Sequence, residues 1–131
     1  MSGFLDELWL RHDGAADHWT TARELRYVSR AGKTYTVPAG MTTDLASIPR
    51  VFWSIIPPHG KHLPATILHD WLYMSRSVSR KMADNLFREA MEELGVDHDT
   101  IDIMYKAVRA FGQEAYDTDE DGNPFPDVAG A

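Results

Sequence analysis

The residue types that can carry chemistry are concentrated between positions 37 and 73, where His69 and Asp70 are adjacent. On a helix, such a pair can present metal ligands, because imidazole and carboxylate groups suit zinc, manganese or iron. The pair can also supply a general base. Tyr73 follows Asp70 by three residues, so their side chains would share one helical face. The structural alternative is a hydrogen-bonded core histidine, with Asp70 and Tyr73 tying the helix to a loop.

Asp44 and Ser47 lie in the stretch TTDLASIP, which leaves a predicted strand. Side chains of these types often bond backbone amides in turns and helix caps, and Ser47 followed by Pro49 fits a helix start. In the functional interpretation, Asp44 adds a second carboxylate to the pair at 69 and 70. Ser47 as a nucleophile is the weaker alternative, because no G-x-S-x-G elbow surrounds it.

Asp84 borders the apolar stripe of a predicted helix over residues 79–94. Burying an unpaired charge is costly, so a carboxylate at this position needs a partner. Arg88 lies four residues further on and could provide it, as could a metal ion or His69 from the neighbouring helix. This pattern supports a structural and a functional interpretation of Asp84 equally.

The predicted site is therefore a histidine with several carboxylates. In the catalytic interpretation, with His69, Asp70 and Asp44 as the catalytic residues, the histidine and the carboxylates bind a divalent metal such as zinc or manganese, and a bound water molecule is the nucleophile. The predicted metal ligands are Asp44, His69, Asp70 and Asp84, with Ser47 and Tyr73 as supporting residues. His59 and His62 flank Gly60 in a polar loop; they could rim a pocket or complete a metal site, but they are expected to be solvated.

The elements that must position these residues change from strand to helix along the chain. Residues 18–29 favour strand, and a turn at 30–33 predicts a hairpin between 24–29 and 33–37. Apolar spacing predicts helices over 64–75, 79–94 and 100–115, with a shorter one near 50–56. The short connection makes the last two antiparallel neighbours.

Together these elements predict an α+β fold, in which a small antiparallel sheet from the N-terminal third packs against three to four helices. Residues 1–116 would form a single domain, and residues 117–131 an acidic tail that is extended or disordered.

Composition excludes several classes of partner. The net charge of −7 opposes binding to nucleic acid or anionic lipid, and no basic run offsets it. The chain has no cysteine, which excludes disulfides and thiolate metal sites. No segment approaches the roughly 18 apolar residues of a membrane span, and the N-terminus does not have the pattern of a signal peptide.

Four stretches in order, VPAGMTTDLASIP, ILHDWLY, ADNLFREAM and MYKAVRAFG, resemble a family of small phage and bacterial proteins known as domain of unknown function 1353. The resemblance covers residues 20–114. It includes a final helix with Tyr, Arg and Gly, and Met41 stands where the family usually has Phe. The positions that match one by one are Asp44, Ser47, His69, Asp70, Tyr73 and Asp84.

The resemblance implies a phage-associated or prophage-encoded protein, located in the host cytoplasm or in the virion. It leaves two classes of role open. One is a small metal-dependent hydrolase that acts on cell wall or on a nucleotide. The other is a non-enzymatic virion or assembly component of the head or tail, whose partners are other phage proteins. In the second role the polar cluster is a buried hydrogen-bond network.

Overall fold

The structure, a computed structural model, describes residues 1–12, 18–43 and 60–117. The predictions that concern Asp44, Ser47, His59, the short helix near 50–56 and the tail from residue 118 onward lie outside these ranges. The division of the chain at residue 117 stays a prediction.

Two small antiparallel sheets contain the strands of the described residues, each with three strands. One sheet has the order β1-β4-β5 and the other the order β2-β3-β6. The bounds are β1 Gly3–Phe4, β2 Leu10–His12, β3 Trp19–Thr21, β4 Leu25–Val28, β5 Thr34–Val37 and β6 Thr42–Thr43.

The predicted hairpin is confirmed in β4 and β5, where Leu25 pairs with Val37 and Val28 pairs with Thr34. Leu25 and Tyr27 point into the core and Arg26 points out, as the two-residue period of a strand requires. The turn contains Gly32, whose φ of +88° favours glycine over other residues.

The strand-favouring residues 18–29 form two strands and not one, since β3 and β4 belong to different sheets. The cause is a set of contacts made by Thr21 at the end of β3. Its backbone N–H donates to the Met41 carbonyl at 2.9 Å, and its carbonyl accepts from the Gly40 N–H at 2.7 Å. These bonds hold β3 beside the segment that leads into β6, whereas β4 pairs with β5.

Helices follow the sheets in the described ranges, with bounds α1 Leu63–Ser75, α2 Arg80–Glu93, α3 His98–Phe111 and α4 Gln113–Asp117. Side chains cap the N-termini of α2 and α3, because Ser79 accepts from the Met82 N–H and Asp97 from the Thr100 N–H. The last long helix ends at Phe111, four residues before the predicted end, and Gly112 separates it from α4.

Helices α2 and α3 pack as antiparallel neighbours, as predicted. Arg80 at the start of α2 contacts the Val108 carbonyl near the end of α3, while Arg88 further along α2 stacks on Tyr105. The α+β class is thereby confirmed. No helix within the described ranges is both long and apolar enough to cross a lipid bilayer.

Helix α1 is buried on almost every side, in contrast to the other two long helices, which each have a polar face. Its buried residues are Ala65, Thr66, Ile67, Leu68, His69, Asp70, Leu72 and Tyr73. Polar groups in such a helix need partners inside the protein. The expectation that His62 is solvated is wrong, because it lies directly before α1 and is 5% exposed.

Charged and polar links attach the first sheet to the helices. Tyr27 on β4 donates its hydroxyl to Glu89 on α2 at 2.6 Å. In the turn after β4, the Arg30 backbone N–H donates to the same carboxylate at 2.9 Å, and its guanidinium donates to Glu93 at 2.8 Å. The hairpin is thus held against the outer side of α2.

Candidate functional site

The Asp84 carboxylate on α2 is the centre of the polar cluster, and it is fully buried. Two side chains of α1 donate to its Oδ1 atom, His69 through Nε2 at 2.7 Å and Tyr73 through its hydroxyl at 2.5 Å. Arg109 on α3 donates through Nη1 to Oδ2 at 2.7 Å. Both carboxylate oxygens are therefore bonded, and the cluster joins α1, α2 and α3.

The partners determine the ionisation of this carboxylate. Burial raises the pKa of Asp84, but the hydrogen bonds from His69, Tyr73 and Arg109 outweigh it and hold the pKa below its ordinary value. Burial, together with the adjacent Asp84 charge, raises the pKa of the Tyr73 phenol, so the phenol keeps its proton and donates it in the hydrogen bond. The charges of Asp84 and Arg109 cancel.

An ionised carboxylate can only accept hydrogen bonds, so the Nε2 atom of His69 must carry a proton and donate it. In the neutral ring, Nδ1 then carries the lone pair. Nδ1 is buried and has no hydrogen-bond partner among the described residues. The ring itself is held by Tyr73 and Phe87, whose centroids lie 4.2 and 4.6 Å from its own. The cluster therefore orients an imidazole and leaves one nitrogen unused.

Asp70 is also buried, but its described hydrogen bond is to β6 and not to the cluster around Asp84. Its Oδ2 atom accepts from the Thr43 hydroxyl at 2.7 Å, which links α1 to the end of β6. Adjacent helical residues point about 100° apart, which separates Asp70 from the cluster around Asp84. Thr43 is the residue before Asp44, so Asp70 contacts the chain where the undescribed segment begins.

The structure therefore brings together His69, Tyr73 and Asp84 from the predicted site, and it places Asp70 beside Thr43. Asp44 and Ser47 lie outside the described residues. Within the ranges that the structure describes, no three His, Asp or Glu side chains are grouped as ligands for one metal ion.

Arg109 is the member of the cluster that the sequence pattern does not predict. Arg88, the partner considered for Asp84, instead stacks on the Tyr105 ring at 5.1 Å. A buried carboxylate requires a cation as its partner, which is a signal that the sequence contains. The predicted antiparallel packing of the last two helices places the end of the final helix near Asp84, so an arginine there could have been considered. His69, which was also considered as a partner for Asp84, does bond to it, at 2.7 Å.

Gly112 provides the space that the Tyr73 hydroxyl occupies. A Cβ atom at this position would lie 2.6 Å from the Tyr73 hydroxyl oxygen and 2.5 Å from the Val108 carbonyl oxygen. The backbone φ of Gly112 is −79°, which any residue adopts, so the requirement for glycine is steric.

The profile of a family described as "Protein of unknown function (DUF1353)" matches residues 19–108, more than half of the chain. The chain belongs to this family. The DUF1353 match includes His69, Asp70, Tyr73 and Asp84, and Arg109 follows its last residue directly.

A relative from Sinorhizobium fredii (strain NBRC 101917 / NGR234), named "Uncharacterized protein y4jT", is 35% identical over 85 residues, which are 63% of this chain. The match spans 25% of that relative's length, so this chain corresponds to about a quarter of it. No solved structure gives a significant match.

Replacing Asp84 with Asn is expected to lower the free energy of unfolding by about 3 to 5 kcal/mol, because Arg109 loses its carboxylate next to a buried site. Urea denaturation at pH 7 measures this loss. Asp6→Asn is the matched control, since Asp6 pairs with Arg26 at the surface and should cost far less. Equal losses in the two variants would contradict the central role of Asp84.

The pH dependence of stability in wild type and in Asp84→Asn tests the ionisation of Asp84. Its folded pKa lies below the ordinary value of 3.8, so its contribution is complete above that value and is lost as the pH falls through the folded pKa. We expect the stability difference between wild type and Asp84→Asn to be constant above about pH 5 and to shrink below about pH 4. A difference that is independent of pH down to pH 2 would contradict this assignment.

Gly112→Ala is expected to destabilise the protein by about 1 to 3 kcal/mol, because the new methyl group displaces the Tyr73 hydroxyl from Asp84. A double-mutant cycle with Tyr73→Phe separates this effect from general crowding. Without the hydroxyl, the alanine should cost less, and the remaining cost reports the contact with the Val108 carbonyl. Strictly additive losses would show that Gly112 and Tyr73 are not coupled.

Proposed function

We propose that this protein is a hydrolase in which His69 acts through its Nδ1 atom and Asp84 orients the ring. One observation supports this most directly: Nε2 is bonded to an ionised carboxylate, while Nδ1 is buried and without a partner among the described residues. Native proteins rarely leave such an atom unpaired, and a functional role is one of the recognised explanations.

The arrangement has the parts of an activated general base. Nδ1 of His69 would take a proton from a water molecule or hydroxyl group as that oxygen attacks a carbonyl or phosphoryl centre. The ring becomes positively charged in this step, and the Asp84 carboxylate stabilises that charge through Nε2. Tyr73 and Arg109 hold the carboxylate in position. Nδ1 would then return the proton to the leaving group.

The same geometry accommodates a metal-dependent hydrolase with revised roles. A metal-binding histidine commonly donates its other ring N–H to a carboxylate, as His69 donates to Asp84. Asp84 would therefore orient the ligand instead of binding the ion. His69 would bind zinc or manganese through Nδ1, and Asp70 and Asp44 are the carboxylates proposed to join it. The ion would supply an activated water.

Paired substitutions at position 69 test this proposal. In His69→Gln, the side-chain amide can still donate to Asp84, but it has no atom in place of Nδ1. In His69→Asn, an atom replaces Nδ1 and the bond to Asp84 is lost. We expect the Gln variant to fold with near wild-type stability, yet to lose bound metal and hydrolysis of cell-wall fragments or nucleotides.

Elemental analysis of untagged protein after dialysis against zinc or manganese supplies a readout besides activity. Metal that is present in wild type and absent in His69→Gln supports the metal-dependent form. Hydrolysis that needs Nδ1 without bound metal supports the general-base form. The proposal is wrong if the Gln variant retains the wild-type metal content and the wild-type activity, or if wild type has neither.

A second function, as a non-enzymatic virion or assembly component, is supported by the saturation of Asp84. Both of its oxygens are bonded, and His69 and Asp84 are each 0% exposed, as expected for a network that only fixes three helices. In that case we expect the protein at a fixed copy number per purified phage particle, measured by quantitative mass spectrometry. Its absence from particles, beside activity that depends on His69, would exclude this role.

A further inference from the structure

A row of aromatic rings leads from Tyr116 on α4 to the imidazole of His69. Tyr116 packs edge-on against Tyr73, with ring centroids 5.3 Å apart, and the Tyr73 centroid lies 4.2 Å from that of His69. Phe87 is the next ring, 4.6 Å from the imidazole. Tyr73, His69 and Phe87 are buried, whereas Tyr116 is only partly buried. Tyr116 is therefore the member of the row that lies nearest to solvent.

The side chain of Tyr116 also attaches α4 to the connection between α1 and α2. Its hydroxyl donates to the Val78 carbonyl at 3.0 Å, and the Arg76 guanidinium lies over its ring, 4.6 Å from the centroid. The side-chain amide of Gln113, in contrast, donates to Asp117 within α4 itself. Among the described residues, the hydrogen bonds and ring contacts from α4 side chains to other elements thus all involve Tyr116.

Helix α4 depends on these contacts for its position. It has five residues, and so short a helix is not stable by itself in water, because its few hydrogen bonds do not offset the entropy lost on ordering it. It is joined to α3 by Gly112, and glycine has access to more backbone conformations than any other residue. Release of Tyr116 would therefore free α4, while α1, α2 and α3 keep their bonds to Asp84.

The proposed chemistry requires an opening of this kind. His69 and Asp84 are each 0% exposed, so a substrate cannot reach the imidazole in the closed arrangement. A general base acts only within hydrogen-bond distance of the proton that it takes. An element that covers the row of rings must therefore move before His69 can act.

We propose that α4 is a strap that closes this site and that Tyr116 is the residue that holds it closed. Release of Tyr116 would uncover Tyr73 and then the imidazole beside it. The open form would admit a substrate, and closure would exclude water from the reaction. The role of the strap rests on the proposed function, but its opening can be measured without any substrate.

Chemical modification of histidine measures the opening in the full chain. Diethyl pyrocarbonate reacts with accessible neutral imidazoles, and peptide mass spectrometry identifies each modified histidine. His98 is exposed and gives the reference rate. At low urea concentrations, we expect His69 to react slowly and at a rate independent of urea, because a local opening exposes little new surface. The proposal is overturned if His69 reacts only at urea concentrations that unfold the protein.

Variants at position 116 identify the contacts that hold the strap. Tyr116→Ala should raise the urea-independent rate of His69 by about tenfold or more, since the ring contacts and the hydroxyl bond are both lost. Tyr116→Phe keeps the ring and loses only the bond to Val78, so its rate should be intermediate. If Tyr116→Ala fails to fold, the urea series on wild type still decides the question.

Tyr27→Phe is the matched control, because it removes a tyrosine hydroxyl that donates to Glu89 and attaches β4 to α2, without touching α4. We expect it to leave the urea-independent rate of His69 unchanged. An equal rise in Tyr27→Phe and Tyr116→Ala, or no rise in Tyr116→Ala, would overturn the proposal.

The strap and the hydrolase can fail separately. If Tyr116→Ala exposes His69 to the reagent but neither it nor wild type hydrolyses cell-wall fragments or nucleotides, α4 is a strap and the hydrolase proposal is wrong. If wild type hydrolyses one of these substrates and His69 stays unreactive at low urea concentrations, the hydrolase proposal stands and the strap is wrong.

Discussion

The helical part of this protein depends on one buried negative charge. Asp84 is inaccessible to water, and its carboxylate stays ionised because His69, Tyr73 and Arg109 donate to it. A buried ion pair is not in itself a strong source of stability compared with an apolar core, but leaving one member unpaired is costly. The main effect of the cluster is therefore on the specificity of the fold. It requires α1, α2 and α3 to pack in one arrangement, since the helix positions that carry the donors must all face Asp84.

Helix α1 uses its two adjacent polar residues in different directions. His69 connects it to α2 through Asp84, and Asp70 connects it to β6 through Thr43. The helix is buried on nearly all sides, so both residues need internal partners. The sequence pattern predicts one site for the pair, whereas in the structure His69 bonds to a helix and Asp70 bonds to the sheet. Thr43 at the end of β6 therefore lies next to the helix that carries the candidate base.

The parts that could be predicted from sequence are those with local signals. The hairpin has a turn with glycine between two strand-forming runs, and α2 and α3 have regular apolar stripes with Ser79 and Asp97 as caps. The division between β3 and β4 has no such signal, because no proline or glycine lies between them. It results from the bonds that Thr21 makes with Met41 and Gly40, which are distant in sequence.

The candidate site divides in the same way. Asp84 needed a partner because it borders an apolar stripe, and His69 was among the partners that could be named. The selection of Arg109 over Arg88 depends on the packing angle between α2 and α3, which the chain does not show locally. The steric requirement for Gly112 is also not visible in the local sequence, since it arises only when Tyr73 packs against the end of α3.

The position of Asp84 also has a consequence for how the protein folds. Its partners lie 11, 15 and 25 residues away along the chain, one group before α2 and one after it. A hairpin of α1 and α2 alone would bury this carboxylate without its guanidinium, and a pair of α2 and α3 would bury it without the imidazole and phenol. Each partial assembly would carry an unfavourable charge that the complete set removes. The three helices should therefore open and close as one cooperative unit, with the most protected amide protons in all three reporting the same free energy of opening.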